Sequence, residues 1–172
     1  MFVDESGTNL AMTPRYGRAP RGERVVGTVP RNHGKNTTLI AAMSLDGITA
    51  AMTVEGAIDR PAFEAFVAQV LVPRLQPGQV VVWDNLSVHK SDEAQRRIAD
   101  AGCQVLWLPP YSPDFTPIEQ AFSKLKTRLR RTGARTREAL DAGITAGLAT
   151  ITATDAQGWF AHCGYPTSAH LL

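Results

Sequence analysis

Val80-Val81-Val82-Trp83-Asp84-Asn85 is a short apolar run that ends on a carboxylate and an amide. It follows the turn signal Pro77-Gly78, so it reads as a buried strand that delivers Asp84 and Asn85 into a loop at its C-terminal end. A second apolar run, Cys103 to Leu108, is broken by Pro109-Pro110. The loop Tyr111-Ser112-Pro113-Asp114-Phe115-Thr116-Pro117 then leads into a helix opening on Ile118-Glu119-Gln120. A strand end carrying Asp84 and a helix start carrying Glu119 can therefore meet.

The helix has its own reason to begin there. Thr116 suits the N-cap, Pro117 suits the first helical position, and Glu119 completes a Thr-x-x-Glu capping box. On that reading Glu119 is only a cap. Ile118, Phe122, Leu125 and Leu129 form an apolar stripe, while Glu119, Ser123, Lys126 and Arg130 lie along a neighbouring one. A solvated charged face is the common explanation of such a pattern. The start of the chain changes the balance. Met1-Phe2-Val3 reads as the end of a strand, and Asp4-Glu5-Ser6-Gly7 puts a further acid at that end. Asp4, Asp84 and Glu119 then form an oxygen-only set on rigid elements, which suits magnesium because that ion keeps several waters and uses few carboxylates. Two such ions about 3.5–4 Å apart can activate an attacking oxygen and stabilise a leaving one in phosphodiester cleavage.

These residues carry a family resemblance. Asp4-Glu5-Ser6-Gly7, Trp83-Asp84-Asn85-Leu86-Ser87-Val88-His89-Lys90, the run from Leu108 to Gln120, and Phe122-Ser123-Lys124-Leu125-Lys126 together resemble the signature of bacterial insertion-sequence transposases in the mariner superfamily, members of the DDE group. The resemblance extends to the ending Gly158-Trp159-Phe160-Ala161-His162-Cys163-Gly164-Tyr165. It implies an α/β, ribonuclease-H-like fold with a mixed five-stranded sheet, helices on both faces, and the first and fourth strands as neighbours. It implies Asp4, Asp84 and Glu119 as catalytic metal ligands for two Mg2+ (or Mn2+) ions. It further implies double-stranded DNA, both element ends and target, as the partner, and work as a homo-oligomer. Complete relatives carry helix-turn-helix DNA-recognition domains before the first catalytic strand, and nothing of the kind precedes Asp4. The expectation is one catalytic domain over residues 1–172, with the recognition half supplied by a separately encoded chain. The alternative is a truncated remnant that pairs with full-length copies and inhibits them.

Charge is distributed in a way that fits nucleic acid. The net charge of +2 is modest. However, Lys124, Lys126, Arg128, Arg130, Arg131, Arg135 and Arg137 cluster, as do Arg15, Arg18, Arg21, Arg24 and Arg31, giving two candidate phosphate-binding surfaces. Lys124, Lys126, Arg130 and Arg131 are the expected DNA contacts, and the Arg-, Gly- and Pro-rich stretch from Leu10 to Arg31 is a candidate DNA-contacting arm. With 172 residues and 44% apolar content the chain can bury a core as a single domain. Neither a signal peptide nor a membrane span is visible, so the expected location is the bacterial cytoplasm, at the nucleoid. Cys103 and Cys163 show no pairing logic and are expected to stay reduced. His162 and His170 flank Cys163 without a second ligand pair at zinc spacing, so no zinc site is expected.

The remaining elements follow in order. Thr37 to Leu45 and Ile48 to Val54, joined at Asp46-Gly47, give a hairpin with a type I′ turn, which makes Asp46 a turn residue rather than a fourth ligand. Asp59-Arg60-Pro61 opens a helix whose Phe63, Phe66, Val67, Val70 and Leu71 form a core-facing stripe. Ser91-Asp92-Glu93 caps a helix to about Ala101, stopped by Gly102. Thr136 opens a helix presenting Leu140, Ile144, Leu148 and Ile151, and Thr154 caps a final one through His162, ended by Gly164. His89, in the loop after Asp84, reads either as a residue that positions the phosphate or a metal-bound ligand, or as part of the start of the Ser91 helix. Asn85 has the same two readings, the functional one being an outer-shell hydrogen bond to the Asp84 carboxylate. A Ser87/His89/Asp84 hydrolase is set aside because no nucleophile elbow is present, and a glycosidase leaves the third acid and the basic strip unexplained.

Overall fold

The computed structural model of the chain describes residues 1–109 and 112–167. Pro110, Tyr111 and His170, named above, lie outside the described residues. Five strands, β1 (Phe2–Thr8), β2 (Thr37–Ser44), β3 (Gly47–Glu55), β4 (Val80–Trp83) and β5 (Gln104–Trp107), form one mixed sheet in the order β3-β2-β1-β4-β5. β1 runs antiparallel to β2 and parallel to β4, and β4 runs parallel to β5. The neighbouring first and fourth strands and the five-stranded mixed sheet are as the sequence implies.

Among the described residues five α-helices cover the sheet: α1 (Arg60–Phe66), α2 (Asp92–Asp100), α3 (Ile118–Thr132), α4 (Arg137–Leu148) and α5 (Ala153–His162). Side chains alternate across each strand, so each strand feeds two cores. Phe2, Leu39, Met43 and Val82 point to one layer and pack against Ile118, Phe122, Leu125 and Leu129 of α3, with Leu140, Ile144 and Phe160 behind them. Val3, Ile40, Val81 and Trp83 point to the other, against Phe63, Phe66 and Leu71 of the α1 region and Ile98 of α2. Helices on both faces of a mixed sheet make this the ribonuclease-H-like arrangement. After α1 the chain continues as a π-helical turn over Val67–Leu71 and a 3-10 turn over Val72–Arg74. The predicted stripe still reaches the core at Phe63, Phe66, Val67 and Leu71.

α3 and α4 approach closely at Gly147, where a Cβ would lie 2.3 Å from Leu125 Cδ1. Lys124 of α3 donates to Asp155 of α5 at 2.6 Å and to the Thr150 carbonyl at 3.0 Å, fastening the third helical layer. Residues 9–36, between β1 and β2, form an exposed arm without regular structure. Its root is held by the Arg135 guanidinium, which donates to the carbonyls of Leu10 and Met12.

Several local expectations are corrected. β1 does not end before Asp4 but runs to Thr8, because β2 pairs with it along its whole length and Thr8 Oγ1 closes the far end on the Thr37 carbonyl. The hairpin turn falls on Leu45-Asp46, with Ser44 opposite Gly47. Gly47 opens β3 at φ +110°, and a Cβ there would meet the Ile151 carbonyl at 3.0 Å. The Thr116–Glu119 capping box is not formed: α3 starts after Pro117 with no side-chain cap, and the Thr116 hydroxyl donates back to the Ser112 carbonyl. α5 is capped by Thr152, in a reciprocal box with Asp155, rather than by Thr154. Ile151 is buried but lies beyond the end of α4.

Candidate active site

The sheet explains how two distant acids become neighbours. Phe2 pairs with Val82, so two residues further along each parallel strand Asp4 stands beside Asp84. Both share the alternation phase of Phe2 and Val82 and therefore lie on the α3 side. There the first turn of α3 presents Glu119, which no longer serves as a cap and is exposed. A cleft of about 460 Å³ is lined by Asp4, Asp84 and Glu119 together with Asn85, Leu108 and Thr116. A second hollow of about 440 Å³ shares Asp4 and Glu119 and continues to Arg15, Lys126 and Arg130. The three acids thus border one depression that runs into a cationic one.

The carboxylates border the cleft without meeting at one point: among the described residues no three His, Cys, Asp or Glu side chains converge closely enough to hold a metal. Two of them have nearer partners. Asp4 Oδ1 accepts from the Glu5 N–H at 2.8 Å. Asp84 Oδ1 accepts from the Leu86 N–H at 2.9 Å and lies 2.6 Å from His89 Nδ1. No hydrogen bond to either Oδ2 is made by the described residues, so each aspartate keeps one oxygen for a ligand.

The electrostatics are those of a cluster of acids. Burial pushes the Asp4 carboxyl up to about 7, and the charges of Glu5, Asp84 and Glu119 add to it against the Glu5 N–H bond. Asp84 behaves oppositely: burial acts to raise it, but the hydrogen bonds from His89 and Leu86 hold it below the usual carboxylate range. Burial lowers the Lys126 ammonium, Arg130 adds to that, and Asp4 and Glu119 pull it back up, so this lysine feels the acids directly. An all-oxygen donor set in which one oxygen of each aspartate takes no hydrogen bond from the described residues fits a hard divalent cation.

The other expected residues separate. Asn85 lines the cleft, but its amide donates to the Leu108 carbonyl at 2.6 Å rather than to Asp84, which ties the loop after β4 to the end of β5. His89 is fully buried, so it cannot touch a phosphate; it bridges Asp84 and Glu5 instead. Its burial, which would lower the imidazole, is outweighed by these two bonds, and the ring is raised to about 9 and held as imidazolium. Lys126 and Arg130 belong to the hollow beside the acids. Arg131 lies with Arg15 and Tyr16 where the arm crosses α3, and Lys124 is committed to Asp155 on the flank of that helix. Glu5 was missed by the sequence reading. The signal was available in strand alternation, which sends Glu5 to the layer opposite Asp4, where only a cation can justify it.

Residues 1–141 match the family model described as DDE superfamily endonuclease. No curated protein sequence matches the chain. Among solved structures, the Mos1 transposase paired-end complex with left transposon end superposes at a TM-score of 0.75 and 16% identity, covering 95% of this chain and 50% of that one. The mariner Mos1 paired end complex with Mg gives 0.69 at 15% identity, with 95% and 52% covered. The catalytic domain of Mos1 mariner transposase gives 0.62 at 13% identity, with 95% and 74% covered. The chain spans about half the length of the paired-end transposase chains, and at these identities the likeness establishes the fold.

Proposed function

Because the chain belongs to the DDE superfamily endonucleases, we propose that it is the catalytic domain of a DNA transposase of the bacterial insertion-sequence branch of the mariner superfamily. It cleaves DNA at the ends of a mobile element and joins the freed 3′-hydroxyl to target DNA. The observation that carries this reading is the single cleft bordered by Asp4, Asp84 and Glu119 and continuous with Lys126, Arg130 and Arg15.

In this reading Asp4, Asp84 and Glu119 would hold two Mg2+ or Mn2+ ions. When bound, the ions supply Lewis acidity to the attacking oxygen and charge neutralisation to the leaving oxygen of an in-line displacement. The chain's own residues do the rest. Lys126 and Arg130 hold a backbone phosphate next to the acids, Arg15 approaches the same phosphate track from the arm, and Arg131 extends it along α3, whereas Lys124, neutralised by Asp155, serves to fasten α5. Asn85 keeps the loops after β4 and β5 together, so that the walls of the cleft do not part. His89 orients Asp84 from below. The working form is a homo-oligomer on double-stranded DNA, with end recognition supplied by a region outside residues 1–172 or by a separately encoded half. Among the described residues no helix is long and apolar enough to cross a membrane, and the proposed place of action is the bacterial nucleoid.

The test is nicking of supercoiled plasmid with magnesium or manganese by the chain and by its Asp84→Asn variant. Metal-dependent nicking that the variant loses supports the reading. Equal nicking by both removes Asp84 from the site.

A further inference from the structure

Asp4 and Glu5 are adjacent on β1 and so face opposite layers. The Glu5 side chain is only 10% exposed, and its Oε1 accepts from His89 Nε2 at 2.6 Å. On the other edge of the ring, Nδ1 is ion-paired with Asp84 Oδ1 at 2.6 Å and hydrogen-bonds the Asp84 carbonyl at 3.3 Å. Carboxylate oxygens only accept, so both ring nitrogens must carry protons for this chain of contacts to exist. The imidazole is 0% exposed and lies against Phe63, with centroids 4.6 Å apart, and against Trp83 at 6.0 Å. It cannot turn to other partners. Asp84 Oδ1 also takes the Leu86 N–H, so the imidazolium and a backbone N–H together fix that oxygen, and Oδ2 has no donor among the described residues.

From this we infer that Glu5 is a positioning residue: acting through His89, it fixes which oxygen of Asp84 remains for the metal. The inference rests on the reading of Asp84 as a metal ligand. Packing does not account for Glu5, since its Oε2 is buried with no hydrogen-bond partner among the described residues, and an apolar residue of similar volume satisfies such a site better. The carboxylate is retained for His89. Without it the imidazolium loses its second anchor and its neutralising charge, and the rotamer of Asp84 is no longer held. Partners of this kind, one step behind a metal ligand, typically change metal affinity by about 10–100-fold when replaced.

The experiment is a Mn2+ titration of the chain by water-proton relaxation, run on the wild type, Asp84→Asn, Glu5→Gln and Glu5→Asp. Thermal unfolding in chelator and the downfield imidazole N–H proton resonances of His89 are followed in parallel. Glu5→Gln is expected to weaken Mn2+ binding by about tenfold or more and to lose the resonance of the Nε2 proton. Glu5→Asp keeps the charge, and hence the fold, but withdraws the carboxylate by one methylene and is expected to weaken binding several-fold. Wild-type affinity in a folded Glu5→Gln or Glu5→Asp chain overturns the positioning role alone. Mn2+ binding by the wild type that Asp84→Asn does not reduce overturns the metal-ligand reading beneath it.

Discussion

Asp4→Asn, measured without metal, should make this protein more stable. Burial among Glu5, Asp84 and Glu119 raises the Asp4 carboxyl from 3.8 to about 7. The folded chain therefore keeps a proton on Asp4 across a window in which the unfolded chain has released it, and stability falls as pH rises through that window. Each tenfold in proton affinity is worth about 1.4 kcal/mol, so the full cost above about pH 7 is up to about 4 kcal/mol. The amide of Asn has the same shape and can still accept the Glu5 N–H, but it carries no charge. In chelator at about pH 8 the variant should gain up to about 4 kcal/mol, which is a rise of about 10 °C in midpoint for a chain of this size. Below pH 3.8, where Asp4 becomes protonated in the unfolded as well as the folded state, the gain should vanish. Saturating magnesium should reverse the order, because a ligand bound only by the folded wild type adds its binding energy to that state. The assay is thermal unfolding by circular dichroism across pH, with chelator or Mg2+. A variant less stable than wild type at about pH 8 in chelator, or a gain that does not shrink with acid, refutes the argument.

Three further outcomes follow from named contacts. His89→Gln should destabilise by about 3–5 kcal/mol in denaturant titrations, because it strands Glu5 in the core. Since the folded imidazole is raised from 6.5 to about 9, this contribution is complete below pH 6.5 and should fade as pH climbs through about 9. Lys126→Ala and Arg130→Ala should each weaken DNA binding for all sequences alike and lower the salt slope by about one in fluorescence anisotropy; a change confined to sequence preference argues against a phosphate track. Gly147→Ala forces a methyl against Leu125 and should cost about 1–3 kcal/mol of chemical stability through overpacking of α3 on α4.

The elements most legible in the sequence are those whose local and long-range signals agree. The stripe Ile118, Phe122, Leu125, Leu129 and the run Val80 to Trp83 stand where periodicity puts them, and all but the exposed Val80 are buried. β1 was misread because Asp-Glu-Ser-Gly has the composition of a turn. Its strand conformation comes from β2, a partner that the local sequence does not reveal. Thr116 and Glu119 fit the capping-box pattern, but the Thr116 hydroxyl donates to the Ser112 carbonyl instead of accepting from the first turn of α3, and Glu119 lines the cleft. Thr154 lost the cap to Thr152 because Asp155 reciprocates with the earlier residue. The bridge from Glu5 through His89 to Asp84 was illegible for a different reason. It joins opposite faces of the sheet through residues far apart in the chain, and only register and alternation together bring them into contact.

The pairing of Phe2 with Val82 also has a consequence for synthesis. β2 and β3 form a local hairpin that can assemble soon after it leaves the ribosome, and β1 can add to it early. Asp4, however, waits for β4 to gain its neighbour, and Glu119 emerges later still, on a helix that must then dock. The acids come together only once most of the chain has been made. A nascent or prematurely released fragment of this protein therefore lacks the complete cleft that Asp4, Asp84 and Glu119 border.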